Sequence, residues 1–234
     1  MVLLPGLDGT GLLFSEFCRA LDPSVRTTIV AYPWVGSIDY AGLKAVARSH
    51  LPRNEPFVLL AESFSGPIAI SIAADRPAGL SGLVLSCSFA RNPLPMLAPL
   101  DPLIRFLPVR WVPVALLTRP TLGRFATPAL RSQLRQALRR VSASVIRNRL
   151  RALLEVDVSA LLARIDVPVL YLRASEDWLI PRAASDELSA ISGLRQVEIE
   201  GPHFLLQARP AAAAEHVQAF LERIDTRRTS SRRL

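Results

Sequence analysis

The chain has 234 residues, half of them hydrophobic, 21% charged and two of them cysteine, with a formal net charge of +8. That length supports one sizeable hydrophobic core and does not require a split into two domains. The composition excludes a disordered chain and a disulfide framework, and prolines and charges break every apolar run before it reaches membrane-spanning length. Met1-Val2-Leu3-Leu4 reads as a strand, and Pro5-Gly6-Leu7-Asp8-Gly9-Thr10-Gly11 as a glycine-rich loop after it. The start lacks a basic n-region and turns at once into Pro5-Gly6, so no secretory segment is read there and the cytoplasm is the expected location. Asp8-Gly9 reads as a plain turn, and the loop has neither of the glycine patterns that cradle a nucleotide phosphate.

Strand-like and helix-like stretches then alternate: Thr27 to Ala31, Tyr40 to His50, Phe57 to Ala61, Pro67 to Ala74, Leu83 to Ser86. Apolar strands without period-two alternation predict a parallel sheet covered on both faces, an α/β fold. Ser63 stands at the join between the Phe57 strand and the Pro67 helix, with the small residues Ala61 and Ser65 on either side and Gly66 next. This is the pattern of a nucleophile elbow, in which a tight strand-to-helix turn exposes a serine hydroxyl. The common spelling is G-x-S-x-G; here alanine and serine replace both glycines. Ser65 falls on the first helical turn, where a small residue is needed for packing.

Cys18 in an apparent helix and Cys87 in an apparent buried strand read as inert core thiols. From 89 to 156 the chain changes character. It opens with Pro93, Pro95, Pro99, Pro102, Pro108 and Pro113 among leucines, then turns helical, with Leu130, Leu134, Leu138, Val141 and Val145 as one apolar stripe. This reads as a helical cap inserted into a core formed by 1–88 and 157–224, placed to shape an acyl pocket. The insertion carries twelve arginines against Asp101 and Glu155, a net of about +10, so the rest of the chain sums to about −2. Arg131, Arg135 and Arg139, four apart beside the stripe, are candidate contacts for an acidic carrier protein, the phosphates of coenzyme A or an anionic membrane face; a merely solvated helix face accounts for them equally. Nucleic acid is disfavoured, because stacking aromatics are sparse and no nucleic-acid motif accompanies the arginines.

Val167 to Ala174 is another apolar strand, running into Ser175-Glu176-Asp177-Trp178-Leu179-Ile180-Pro181. An acid in that loop is placed to orient a histidine; Asp177 is the first candidate and Glu176 the alternative, while Asp157 and Asp166 precede the strand. Val197-Glu198-Ile199 is a last short strand, and His203 follows it in a loop beside Gly201 and Pro202. His50 and His216 sit on helical stretches and read as structural. No cluster has metal-ligand spacing, and no metal or cofactor is expected. Residues 225–234, ending Arg227-Arg228-Thr229-Ser230-Ser231-Arg232-Arg233-Leu234, read as a basic disordered tail.

Ser63, Asp177 and His203 occur in the chain order of the α/β-hydrolases. With the Pro5–Gly9 loop and Gly201-Pro202-His203-Phe204, they make the chain resemble that superfamily over essentially its whole length. Within it, the chain is most similar to small bacterial carboxylesterases of the pimeloyl-carrier-protein methyl ester esterase type. The resemblance implies a Ser63–His203–Asp177 triad, an oxyanion hole from the amides of Leu7 and Phe64, and hydrolysis of a hydrophobic ester or thioester through an acyl-enzyme. It also implies a leading hairpin that this chain does not show; a minimal domain and a misplaced start both account for that. Some plant phytyl ester synthases carry similar hydrolase domains, which implies acyl transfer to an alcohol as an alternative. A non-catalytic ligand-binding protein that keeps the fold is the third reading.

Overall fold

The computed structural model describes residues 1–36 and 38–231. In chain order the elements are β1 Val2–Leu4, α1 Ser15–Ala20, β2 Thr28–Ile29, α2 Tyr40–Ser49, β3 Phe57–Glu62, α3 Gly66–Ala74 and β4 Leu80–Ser86. Four helices follow, α4 Asp101–Ile104, α5 Val114–Leu122, α6 Pro128–Arg140 and α7 Ala143–Glu155. The chain ends with β5 Val169–Glu176, α8 Arg182–Asp186, β6 Arg195–Pro202, α9 Leu205–Ala208 and α10 Pro210–Ser231. The six strands form one sheet in the order β2-β1-β3-β4-β5-β6, every pair parallel.

Alternation along each strand divides the core in two. Leu59, Ala61, Leu83, Leu85 and Tyr171 pack with α2 and α3 on one face. Leu60, Val84, Leu170 and Leu172 pack with α1 and α10 on the other. Because both faces are covered, β3 is buried at all six positions, which is why its sequence shows no polar alternation. Parallel strands also bring all their carboxyl ends to one edge, where the loops after β1, β3, β5 and β6 meet.

Several boundaries differ from the sequence reading. β2 is only two residues long, because it is an edge strand whose Ile29 remains exposed. β6 extends to Pro202, so His203 follows the strand directly. The expected single stripe from Leu130 to Val145 breaks at Val141, which is extended. Thr127 caps α6 by accepting the Leu130 N–H, and Ser142 caps α7 by accepting the Val145 N–H, so two helices start where one was expected. Val141 and Val145 join Ile146 in a separate small cluster, against which Leu138 of α6 also packs. α10 continues through Ser231, so residues 225–231 of the expected disordered tail are helical; 232–234 lie outside the described residues. Cys18 lies in α1 and Cys87 just past β4, and both are free thiols. Among the described residues, no helix is long and apolar enough to cross a membrane.

Candidate active site

Ser63 leaves β3 with φ 49°, a left-handed conformation that a residue with a Cβ adopts only when its surroundings enforce it. The surroundings are visible. A Cβ on Gly66 would lie 1.7 Å from Ser88 Oγ, so only glycine lets α3 approach the end of β4 this closely. Ser88 Oγ in turn donates to the Ser63 carbonyl at 2.7 Å. The tight approach thus falls one position later than the G-x-S-x-G spelling suggests. Ser65, at the spelled position, carries more than packing: its hydroxyl donates to the Pro5 carbonyl and meets the Tyr32 hydroxyl at 2.8 Å. The elbow is therefore tied to the loop after β1.

His203 Nε2 is 2.8 Å from Ser63 Oγ, and His203 Nδ1 is 3.0 and 2.9 Å from the two Asp177 oxygens. Asp177 Oδ1 also accepts the Leu179 and Ile180 N–H groups at 2.9 Å, which fixes the carboxylate in the loop after β5. His203 and the Asp177 side chain are both buried. The structure thus joins the three residues in one hydrogen-bonded chain. Glu176, the alternative acid, points elsewhere and pairs with Arg124 at 2.7 Å. Cys87 completes a group with Asp177 and His203 whose ligand atoms lie within 4.8 Å of one another, a proximity that sequence spacing gave no sign of. Burial, then the Asp177 and Glu62 charges, push the Cys87 thiol well up, so it stays neutral, a poor state for binding metal.

Ser63, His203, Leu7 and Phe64 all line one cavity of about 390 Å³. Its other walls are mainly leucines of the insertion, including Leu94, Leu97, Leu134 and Leu138. The Phe64 peptide is held by Tyr40, which stacks on the Phe64 ring at 4.7 Å and donates its hydroxyl to the Phe64 carbonyl at 3.1 Å. A second cavity, of about 520 Å³, adjoins the first through the shared residues Leu7, Leu117, Leu138 and Leu150. Arg135 and Arg139 line this second cavity together with Arg110. Arg131, grouped with them on sequence, is exposed and lines neither.

Two buried polar arrangements beside the site escaped the sequence reading. Arg149, on α7, is only 1% exposed; its guanidinium donates to the carbonyls of Leu7 at 2.9 Å, Asp8 at 2.7 Å and Pro33 at 3.0 Å. Gly9, at φ 68°, passes so close that a Cβ there would lie 2.4 Å from Arg149 Nη1. Burial draws this guanidinium down from its ordinary value, while Asp8 pulls the other way. The signal was present in the sequence, since Arg149 lies four residues from Val145 on the apolar side of its helix. Asp8 does perform the expected turn role, accepting the Thr10 N–H at 2.9 Å, and burial raises its carboxyl.

Glu62, the last residue of β3, is the second. It is buried, Oε2 accepts from Gln207 Nε2 at 3.3 Å, and neither Glu62 Oε1 nor Gln207 Oε1 has a partner among the described residues. Burial pushes its carboxyl up to about 7, against a weaker downward pull from the Gln207 hydrogen bond and His203.

The Hydrolase_4 family, described as serine aminopeptidase S33, matches residues 39–201, well over half of the chain. The enol-lactonase from Burkholderia xenovorans LB400 superposes with a TM-score of 0.79 at 18% identity, covering 94% of this chain and 90% of that one. A bromoperoxidase from Bacillus anthracis gives a TM-score of 0.79 at 15% identity over 94% and 91%. At these identities the likeness is one of fold. Phytyl ester synthase 1, chloroplastic, of Arabidopsis thaliana is 29% identical over 117 residues, 46% of this chain but only 16% of that protein's length. The serine at the turn after β3, the all-parallel sheet and the family match together make the chain a member of the Hydrolase_4 family of α/β-hydrolases.

Proposed function

We propose that the chain is a serine hydrolase that cleaves an ester or thioester of a hydrophobic acyl group. The observation that carries this reading is the 2.8 Å contact of Ser63 Oγ with His203 Nε2, backed by Asp177 and opening on an apolar cavity of about 390 Å³. His203 takes the Ser63 proton as the hydroxyl attacks the carbonyl, and Asp177 holds the imidazole tautomer and stabilises its cationic form. The amides of Leu7 and Phe64 meet the developing oxyanion, each such donor contributing about 3 kcal/mol in comparable sites. His203 returns the proton to the leaving group, and the acyl-enzyme forms on Ser63. His203 then activates water, which releases the acid. The cavity walls favour an alkyl chain, and Arg110, Arg135 and Arg139 on the adjoining cavity suit a leaving group or carrier that bears an anion. A carrier-bound methyl ester fits this description as one member of the class.

The test is a fluorophosphonate probe combined with a series of nitrophenyl esters of increasing chain length. Wild type labels at Ser63 and prefers medium or long chains, and Ser63→Ala loses both labelling and turnover. Absence of labelling in the folded wild type sinks the enzyme reading and favours a binding protein.

Similarity to a protein named as a phytyl ester synthase favours a second reading, in which an alcohol replaces water as acyl acceptor. Adding a long-chain alcohol to the same assay separates the two: transfer yields a new ester, whereas hydrolysis yields only the acid.

A further inference from the structure

Large apolar side chains are exposed in one place above all. Of the twelve exposed large hydrophobic residues among those described, eight lie between Met96 and Leu116, on the proline-rich half of the insertion. Met96, Leu103 and Leu116 are more than half exposed, and the two aromatics Phe106 and Trp111 are 68% and 85% exposed. Isolated exposed leucines need no explanation, but this concentration marks an interaction surface. The same segment carries Arg105 and Arg110, with Arg119 just beyond it, all exposed and without an ion pair among the described residues. Arg105 lies over the Phe106 ring at 4.6 Å, so cation and aromatic share one place on the surface.

The segment has a second side. Leu97 and Leu100 line the cavity that holds Ser63, yet are 42% and 46% exposed. They therefore stand at its mouth, and the mouth opens among the exposed apolar residues.

We propose that this face docks on an anionic lipid surface and that the acyl chain passes from that surface into the cavity between Leu97 and Leu100. Exposed tryptophan and phenylalanine among arginines is the chemistry of a segment that lies in the boundary between lipid headgroups and acyl chains. Arg105, Arg110 and Arg119, exposed and free of ion pairs among the described residues, complement anionic headgroups. They also oppose a second copy of the chain on this face, which would bring like charges together. A lipid surface covers the apolar residues and delivers an amphipathic ester without exposing its chain to water. The delivery half of the proposal rests on the ester-hydrolase reading; the docking half does not.

The test uses the full chain, as wild type, as Ser63→Ala and as the double variant Phe106→Ser with Trp111→Ser. Each is sedimented with vesicles of phosphatidylcholine alone and of phosphatidylcholine with about one third phosphatidylglycerol. Wild type and Ser63→Ala should both bind the anionic vesicles, and the double variant should bind about tenfold less. Hydrolysis of a long-chain ester held in those vesicles should fall about as far in the double variant, while a soluble short-chain ester is cleaved at the wild-type rate. Circular dichroism checks the fold independently of activity. Wild type remaining in the supernatant overturns the proposal, as does a double variant that binds undiminished. A concentration-dependent dimer abolished by the double substitution, without vesicle binding, overturns it in favour of a second copy; capture by an acidic carrier protein alone overturns it in favour of a protein partner. If no ester is cleaved but vesicles are bound, the ester-hydrolase reading fails and the docking stands.

Discussion

Replacing Glu62 by glutamine should change how stability depends on pH, and the sign follows from its surroundings. The carboxyl sits at the end of β3 with one oxygen unpartnered among the described residues, and burial raises it from an ordinary 4.5 to about 7. In the folded chain it therefore keeps its proton where the unfolded chain has already lost it. Between those values the native state binds more protons than the unfolded state, so stability falls as pH rises. At about 1.4 kcal/mol per pH unit the full gap is worth about 3 kcal/mol, most of which falls between pH 5 and pH 8. Glu62→Gln mimics the protonated acid in shape, and its amide N–H can be donated to the unpartnered Gln207 Oε1. The assay is urea unfolding of both proteins at pH 5 and pH 8, followed by tryptophan fluorescence. Taking the difference between variant and wild type cancels every other titrating group common to both. That difference should move in favour of the variant by about 2–3 kcal/mol on going to pH 8. A difference that is the same at both pH values would refute the reasoning and mean that Glu62 is ionised or solvated in the folded chain.

Asp177→Asn should lower kcat on soluble esters by about 10³ to 10⁴-fold while leaving the melting temperature nearly unchanged, since it spoils the histidine tautomer rather than the packing. Gly66→Ala drives a Cβ to within 1.7 Å of Ser88 Oγ and should cost about 1–3 kcal/mol in denaturant unfolding; a neutral result would mean that α3 can shift away from β4. Arg149→Met removes the donor from three carbonyls and should cost about 3 kcal/mol of stability and at least about tenfold in kcat with little change in KM; an unaltered kcat would remove Arg149 from any part in positioning.

What could be read from the residues alone was whatever depends on local pattern. The strands of a doubly covered parallel sheet are largely apolar, so β3 and β5 stood out, and the turns after β3, β5 and β6 put Ser63, Asp177 and His203 at one edge. Helix ends in the insertion depend on capping side chains: Thr127 starts α6 and Ser142 starts α7 within what reads as one apolar stripe, so the step at Val141 is not visible in the stripe itself. Long-range polar contacts left almost no local trace. Arg149 reaches a loop 142 residues away, and Glu62 meets Gln207 across 145 residues. In a list of twelve cap arginines, nothing but its neighbours on the apolar side of α7 distinguished the buried one from those on the surface.

The buried Arg149 gives the two halves of the insertion different mechanical roles. A guanidinium withdrawn from water is tolerated only when carbonyls or anions replace the lost hydration, and Arg149 finds three carbonyls on the sheet side of the boundary. Leu7 is then held twice, its carbonyl by Arg149 and its side chain against the cluster of Val141, Val145 and Ile146. Lifting α7 would leave the guanidinium and those carbonyls unpaired and would loosen the loop assigned to the oxyanion. The segment from Met96 to Leu116 has no comparable tie: apart from the exposed Arg151–Asp101 pair and an Arg147 hydrogen bond to the Leu107 carbonyl, the described polar contacts hold it weakly. Any opening that admits an acyl chain therefore costs least if the proline-rich half moves while α6 and α7 stay in place. On that division, substitutions between Met96 and Leu116 should act on access and on KM for long-chain esters, and substitutions around Arg149 on kcat.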